Sequence, residues 1–354
     1  MTRIGLLGYP NSGKTTLFNA VTGLEAPTAP HPYTTVEPNL GVVRIVDRRL
    51  NLVAGLEKSR KTTHATLDIH DLPAVRPGSV RGLGPRREPD LLLMVLRGHE
   101  EEWVPEGSHG TDPVAQAEEL LIELAVADFE VFDRRRERIL KEASADPALR
   151  PAAAAITRAA DRLADGIPLR VTPWSGAELR AFRDLAPLSL VPCVWVINLS
   201  EDDLDRDTSV DRLRKVVPGT DPVVALSALL EEEVIRLDPS ERKELYEGLG
   251  LGEGAAAVVA RAAYDALGLL TFYTISPREC RAWTVPTGTT ARAAAGKVHS
   301  DMERGFIRAE VAAIDHVIGR GGWDSARGAT GVVRVEGQEY ELRDGDVMLV
   351  RFSV

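Results

Sequence analysis

A chain of 354 residues, 44% hydrophobic and 27% charged, carries too much apolar material for intrinsic disorder and is long enough for two or three domains. Its 43 Lys and Arg against 53 Asp and Glu leave a net charge of -10, which excludes a grip on nucleic acid by bulk charge but not a local basic face. The longest apolar run, Leu91 to Leu96, falls far short of the about 20 residues that span a bilayer, so no membrane contact is expected.

In chain order, Ile4, Leu6 and Leu7 read as a strand running into Gly8, followed by a polar loop and a helix over Leu17–Val21 that closes near Gly23. Residues 26–40, rich in Pro and Thr, read as an exposed loop. Strands are predicted at Gly41–Val46, Ala65–Ile69, Leu91–Leu96, Val191–Ile197 and Pro222–Leu226. Apolar strands spaced among helical segments predict an α/β fold with a doubly wound, mostly parallel sheet.

From Pro113 to about Lys141, the residues Val114, Ala117, Leu121, Leu124 and Val131 recur at three- and four-residue steps. That spacing predicts a long amphipathic helix, with Asp112 as N-cap and Pro113 at the first helical position. An Ala-rich second helix over 148–163, after a break at Asp146-Pro147, makes a helical hairpin of coiled-coil type. Past Gly268, strands at Thr271–Ile275, Arg281–Val285, Val332–Glu336, Glu339–Arg343 and Val347–Phe352 predict a small α+β module. The expected domains are 1–110 with 188–267, a helical insertion over 111–187, and the module over 268–354. Cys193 and Cys280 stand far apart, and the N-terminus shows no secretory apolar stretch, so reduced thiols and a cytoplasmic location are expected.

Gly8-Tyr9-Pro10-Asn11-Ser12-Gly13-Lys14-Thr15 fits G-x-x-x-x-G-K-[ST] between a predicted strand and a predicted helix. The glycines let backbone N–H groups face a polyphosphate, the helix N-terminus adds its dipole, Lys14 supplies a cation, and the Thr15 hydroxyl suits Mg²⁺. Asp68, closing the strand that begins at Ala65, is the expected magnesium-linked carboxylate. Thr34 or Thr35 would offer a hydroxyl to Mg²⁺ once a γ-phosphate is present. The base-reading segment is Val196-Ile197-Asn198-Leu199-Ser200-Glu201. Asn198 with Glu201 three residues on, and Leu199 where a Lys usually stands in guanine readers, favours adenine, whose N6 donor and N7 acceptor match an amide side chain. Ser227-Ala228 fall where the last base-contacting loop is expected.

With these residues in place the chain resembles the YchF/Obg-like ATPase family over nearly its whole length. The resemblance rests on GYPNSGKTTLFNAVTG at 8–23, TTVEPNLGVV at 34–43, NLSE at 198–201, RAWTV at 281–285, FIRAEV at 306–311 and DGDVM at 344–348. It implies an ATP-preferring P-loop domain of Ras-like type, a coiled-coil arm and a C-terminal TGS-like β-grasp module. It further implies cytoplasmic ATP hydrolysis coupled to the ribosome or translation-linked protein or RNA partners. By position it implies that Asn11, Ser12, Gly13, Lys14, Thr15 and Thr16 line the phosphates, that Thr35 takes the first switch position and Asp68 the magnesium-linked one. Asn198, Leu199 and Glu201 would surround the adenine.

The family's second switch reads Asp-x-x-Gly, whereas the stretch here reads Asp68-Ile69-His70-Asp71-Leu72. Asp71 is therefore expected to bring like charge toward the γ-phosphate, and Leu72 to hold the position of a water-orienting Gln. The catalytic candidates are the loop histidines His99 and His109. Two functions are compatible with this reading: a slow ATPase switch, monomeric and magnesium-dependent, or a degenerate ATP-binding adaptor that docks partners through the arm and the TGS-like module.

Overall fold

The computed structural model describes residues 2–26, 39–72, 89–99, 110–201, 206–249 and 254–353. These fall into two compact units, one from 1–43 and 68–266, the other from 44–67 and 267–354.

In the first unit, strands β1 (Arg3–Leu7), β2 (Asn39–Ile45), β4 (Ala65–Asp71), β5 (Leu91–Gly98), β6 (Cys193–Leu199) and β7 (Val223–Leu226) form a sheet ordered β2-β4-β1-β5-β6-β7. β1 runs parallel to β4 and β5, β5 to β6, and β6 to β7. β5 and β6 are near-continuous apolar runs because both of their faces are covered, as central parallel strands require. The order reverses around β1, which opens a crevice at the carboxyl ends of the strands, the usual place for a ligand in such sheets. Helices α1 (Lys14–Thr22), α6 (Arg206–Leu213), α7 (Ala228–Ile235), α8 (Pro239–Leu249) and α9 (Ala255–Leu267) belong to this unit, with α1 packed on α7.

The helical insertion is α3 (Pro113–Ala145), α4 (Arg150–Ala164) and α5 (Gly176–Phe182). Asp112 caps α3 by accepting from the Val114 N–H, with Pro113 in the first turn, as the sequence predicts. At 33 residues α3 is about 50 Å long. Its first turns are anchored by Arg97, 1% exposed, whose guanidinium donates to the Gly110 carbonyl at 2.7 and 2.9 Å. Gln116 pairs with the backbone N–H and C=O of Arg97 at 2.9 and 2.8 Å. Farther along, Phe132, Ile139 and Ala143 meet Ala153, Ile156, Ala160 and Phe182 in a separate apolar core.

The second unit holds strands β8 (Leu269–Thr274), β9 (Cys280–Pro286), β10 (Phe306–Ala313), β11 (Arg334–Glu336) and β12 (Asp346–Phe352). Its helices include α10 (Ala291–Val298), α11 (Ser300–Arg304), α12 (Ile314–Gly319) and α13 (Trp323–Gly328). An antiparallel β8–β9 hairpin, a parallel β12 beside β8, and β10 between β12 and β11 give the β-grasp arrangement. α10 covers one face through Ala291 and Ala294 against Leu270, Phe272 and Val311.

Two expectations change here. Glu339–Arg343 forms no strand; Glu341 makes only an isolated bridge to Thr290, while the Ala-rich Phe306–Ala313 supplies the strand instead. Residues 44–67, expected in the nucleotide-binding domain, belong to the second unit. Helix α2 (Arg48–Leu56) buries Leu50, Val53 and Ala54 against Tyr273, Ile275, Val317 and Trp323, and β3 (Thr62–Thr63) pairs with β9. An apolar stripe tells that a helix must be covered but not which sheet covers it. Among the described residues no helix is long and apolar enough to cross a membrane.

Candidate nucleotide site

After Leu7 the chain turns through Gly8–Gly13 into α1. A Cβ on Gly8 would lie 2.3 Å from the Val95 carbonyl oxygen. Gly13 has φ +85°, and a Cβ there would lie 2.0 Å from Asn198 Nδ2. Both glycines are thus demanded by close approach, the second also by its left-handed backbone. Gly13 caps α1 without a side chain, and the first turn holds no acidic residue, so the helix N–H groups stay available to an anion.

Lys14 is 7% exposed, and its Nζ donates to the Tyr9 carbonyl at 2.8 Å. Burial lowers its ammonium to about 8, against the opposing pull of Asp71. A buried cation whose hydrogen bond among the described residues goes to a backbone carbonyl is suited to a polyphosphate that would favour its charged form. The Tyr9 ring is buried with Ala117, Leu120 and Leu124 of α3. Burial, and then the Glu119 carboxyl, push its phenol above the ordinary tyrosine range. Asn19 accepts from the Ala26 N–H at 2.8 Å and donates to Glu232 at 3.1 Å, which ties the exit of α1 to α7.

The carboxylate beside the loop is Asp71, not Asp68. Asp71 ends β4, is 2% exposed, and its Oδ2 accepts from Thr15 Oγ1 at 2.8 Å and from Asn39 Nδ2 at 3.2 Å. Asp68 is in register with Arg3, the first residue of β1, and its N–H donates to the Thr2 carbonyl. Three residues along a strand are about 10 Å, and the odd offset turns the side chain to the other face. Asp68 is therefore at the wrong end of the strand for the role expected of it. Asp71 does not sit at the glycine position of the second switch; counted from Asp71, that position falls on Ala74, outside the described residues. Leu72 is core, 3% exposed and packed beside Gly5, rather than at a water-orienting position.

Asn198, 5% exposed, spans the site from the side of β6. Its Nδ2 donates to the Ser12 carbonyl at 3.1 Å, and its Oδ1 accepts from the Ala228 N–H at 2.9 Å. The amide expected to read adenine is thus occupied in joining the phosphate loop to the β7–α7 turn. Leu199, 4% exposed, is core, while Glu201 is exposed just beyond β6. Ser227 caps α7 by accepting from the Leu230 N–H, which sets Ala228 against Asn198. The His99 Nδ1–H donates to the Asn198 carbonyl at 3.1 Å, placing the imidazole beside the end of β6. Thr16 is half-buried on α1 next to Thr15, and Asn11 has a left-handed φ of 58° in the loop. Thr34, Thr35 and His109 lie outside the described residues.

The residues present fit a magnesium nucleotide. Thr15 and Asp71 are hard oxygen donors at hydrogen-bond distance, and Lys14 and the α1 N-terminus face the same loop. Among the described residues no three His, Cys, Asp or Glu side chains cluster, so this is not an all-protein metal cage. That is the arrangement Mg²⁺ usually finds when phosphate oxygens complete its shell. The roles of Asn39 and Tyr9 are not announced by residue type alone. The signal for Asn39 is its place in the TTVEPNLGVV stretch, where an amide opens an apolar strand.

Two family models match the chain. One, described as "50S ribosome-binding GTPase", matches residues 3–123, and the other, YchF-GTPase_C, "Protein of unknown function (DUF933)", matches 269–353. A "Ribosome-binding ATPase YchF" of Escherichia coli O157:H7 is 35% identical over 361 residues, covering 99% of each chain. The protein of that name from Bacillus subtilis (strain 168) is 33% identical over 362 residues at the same coverage. In fold, the structure of the Schizosaccharomyces pombe YchF GTPase aligns over 99% of this chain and 97% of that one, with a TM-score of 0.81 and 24% identity. With full-length relatives at this identity, and with the P-loop sheet and the β-grasp unit both in place, the chain belongs to the YchF family.

Proposed function

We propose that this protein binds ATP with Mg²⁺ and hydrolyses it slowly, as a monomeric cytoplasmic switch that works with the ribosome or a translation-linked partner. The observation that carries the proposal is the Thr15–Asp71 pair beside the buried Lys14 in a loop whose glycines admit no side chain. The printed names of the full-length relatives, which call them ribosome-binding ATPases, support both the nucleotide and the partner.

Each residue has a task that its geometry supports. The N–H groups of Asn11–Thr16 and the Lys14 ammonium bind the phosphates, with Lys14 exchanging the Tyr9 carbonyl for a phosphate oxygen. Thr15 donates its only proton to Asp71, which leaves its lone pairs free to face a cation. When bound, Mg²⁺ supplies charge neutralisation between the phosphate oxygens. Asn198 holds the loop and the Ala228 turn in one geometry, so base choice falls to the backbone after β6 and to Glu201. A carboxylate at Glu201 accepts from an exocyclic amine but does not by itself separate adenine from guanine; Leu199 in place of a Lys supports adenine.

The adaptor reading rests on Asp71 as an obstruction and on a second-switch segment, 73–89, shorter than the family's. Asp71 at the end of β4 beside Thr15 speaks against the first, 73–88 lie outside the described residues, and hydrolysis is the better supported reading. Titration of ATP and GTP, followed by single-turnover phosphate release, tests it. ATP should bind in preference, with slow release that Lys14→Ala abolishes. Tight ATP binding without release would leave only the adaptor, and a preference for GTP would overturn the reading of Leu199 with Glu201 as favouring adenine.

A further inference from the structure

Asp71 Oδ2 accepts two hydrogen bonds, and only one comes from the phosphate-binding helix. The second comes from Asn39, the first residue of β2, at 3.2 Å. β2 lies next to β4 at the edge of the sheet, so this bond joins the start of one strand to the end of its neighbour. Asn39 is half-buried and Asp71 is 2% exposed, so little water competes for the contact. A carboxylate held by Thr15 alone can rotate and exchange its two oxygens. Two donors converging on one oxygen from different elements fix that oxygen and leave Oδ1 as the one without these two partners. Asn39 does this without charge, so it adds no further cation beside Asp71, as a Lys or Arg in its place would.

We propose that Asn39 is a positioning residue for the cation site, fixing the orientation of Asp71 and thereby the magnesium dependence of nucleotide binding. The inference rests on the reading of Asp71 and Thr15 as the magnesium-linked pair. Partners that orient a metal-linked carboxylate commonly change metal affinity by about 10- to 100-fold when removed. A residue that merely closed the sheet edge would change stability and leave the cation dependence untouched.

The test is a magnesium titration of ATP binding, with the affinity in EDTA as its baseline, on the full chain carrying Asn39→Leu, which keeps the volume and loses the donor. Asn39→Ala serves as the second variant should the first melt early, and thermal melting checks the fold of both. The expected result is a rise of about tenfold in the half-saturating Mg²⁺ concentration, with the EDTA affinity unchanged. A titration superimposing on the wild type, while Asp71→Asn is shifted, overturns the role of Asn39 and leaves the site intact. Superposition of Asp71→Asn as well overturns the cation site itself. An equal loss of ATP affinity with and without Mg²⁺ in the Asn39 variants makes Asn39 part of the nucleotide pocket or scaffold and also overturns the inference.

Discussion

Gly13 carries two constraints at once, a left-handed φ and a neighbour, Asn198 Nδ2, where a Cβ would fall. Gly13→Ala should therefore cost about 1–3 kcal/mol in stability, read from denaturant midpoints, and weaken ATP binding by displacing the Asn198 bridge. Asn198→Ala leaves the Ser12 carbonyl and the Ala228 N–H without their partner, a cost of about 1–3 kcal/mol. Asn198→Asp keeps the acceptor for Ala228 and loses the donor to Ser12. If the amide acts as a bridge, calorimetry should find both variants less stable than the wild type, the Asp variant also because its carboxylate faces the Ser12 carbonyl in a buried site; equal stabilities for all three would contradict it. The phosphate loop is readable in the sequence because its chemistry dictates residue types at fixed spacing. The choice between Asp68 and Asp71 is not, because the end of β4 is set by its register with β1. A local signal did exist: Ala65, Leu67 and Ile69 alternate on the buried face, and the next residue on that face is Asp71.

Among elements, α3 links the phosphate loop to the arm, since Tyr9 packs on its early turns and Phe132 lies in the distal core. Between them Asp128 accepts from the N–H groups of Leu188 and Ser189 at 3.0 and 2.7 Å, which fastens the returning chain to α3. Burial raises its carboxyl above 3.8 despite these bonds. The folded state therefore holds more protons than the unfolded one above that pH, so the contribution of Asp128 falls as pH rises through the raised value. Asp128→Asn removes the titration. The stability of wild type minus variant should decline from acid toward neutral pH, and parallel melting-temperature profiles would contradict this. The start of α3 is legible because Asp112 and Pro113 are local signals. The anchoring of Arg97 on Gly110 is not, because a buried Arg reads as a solvated one until its acceptor is known.

For the molecule as a whole, the acidic excess lies in the first unit. Residues 201–253 hold 15 acidic and 7 basic side chains, whereas the second unit, 44–67 with 267–354, holds 13 acidic and 17 basic, so the net charge of -10 says little about what that unit touches. That unit draws core residues from 44–67, a pairing no local pattern announces because more than 200 residues separate Leu50 from Tyr273. A fragment of 268–354 should consequently expose the surface that α2 covers and melt without cooperativity, while fusing 44–67 to it should restore a cooperative transition. A cooperative melt of the bare fragment would contradict the assignment.

The most direct test of the account is the affinity for ATP, with and without Mg²⁺, of Asp71→Asn against Asp68→Asn. Asp71→Asn should lose the gain that Mg²⁺ gives the wild type, and Asp68→Asn should keep it. Retention of that gain in Asp71→Asn, or its loss in Asp68→Asn, would contradict the site.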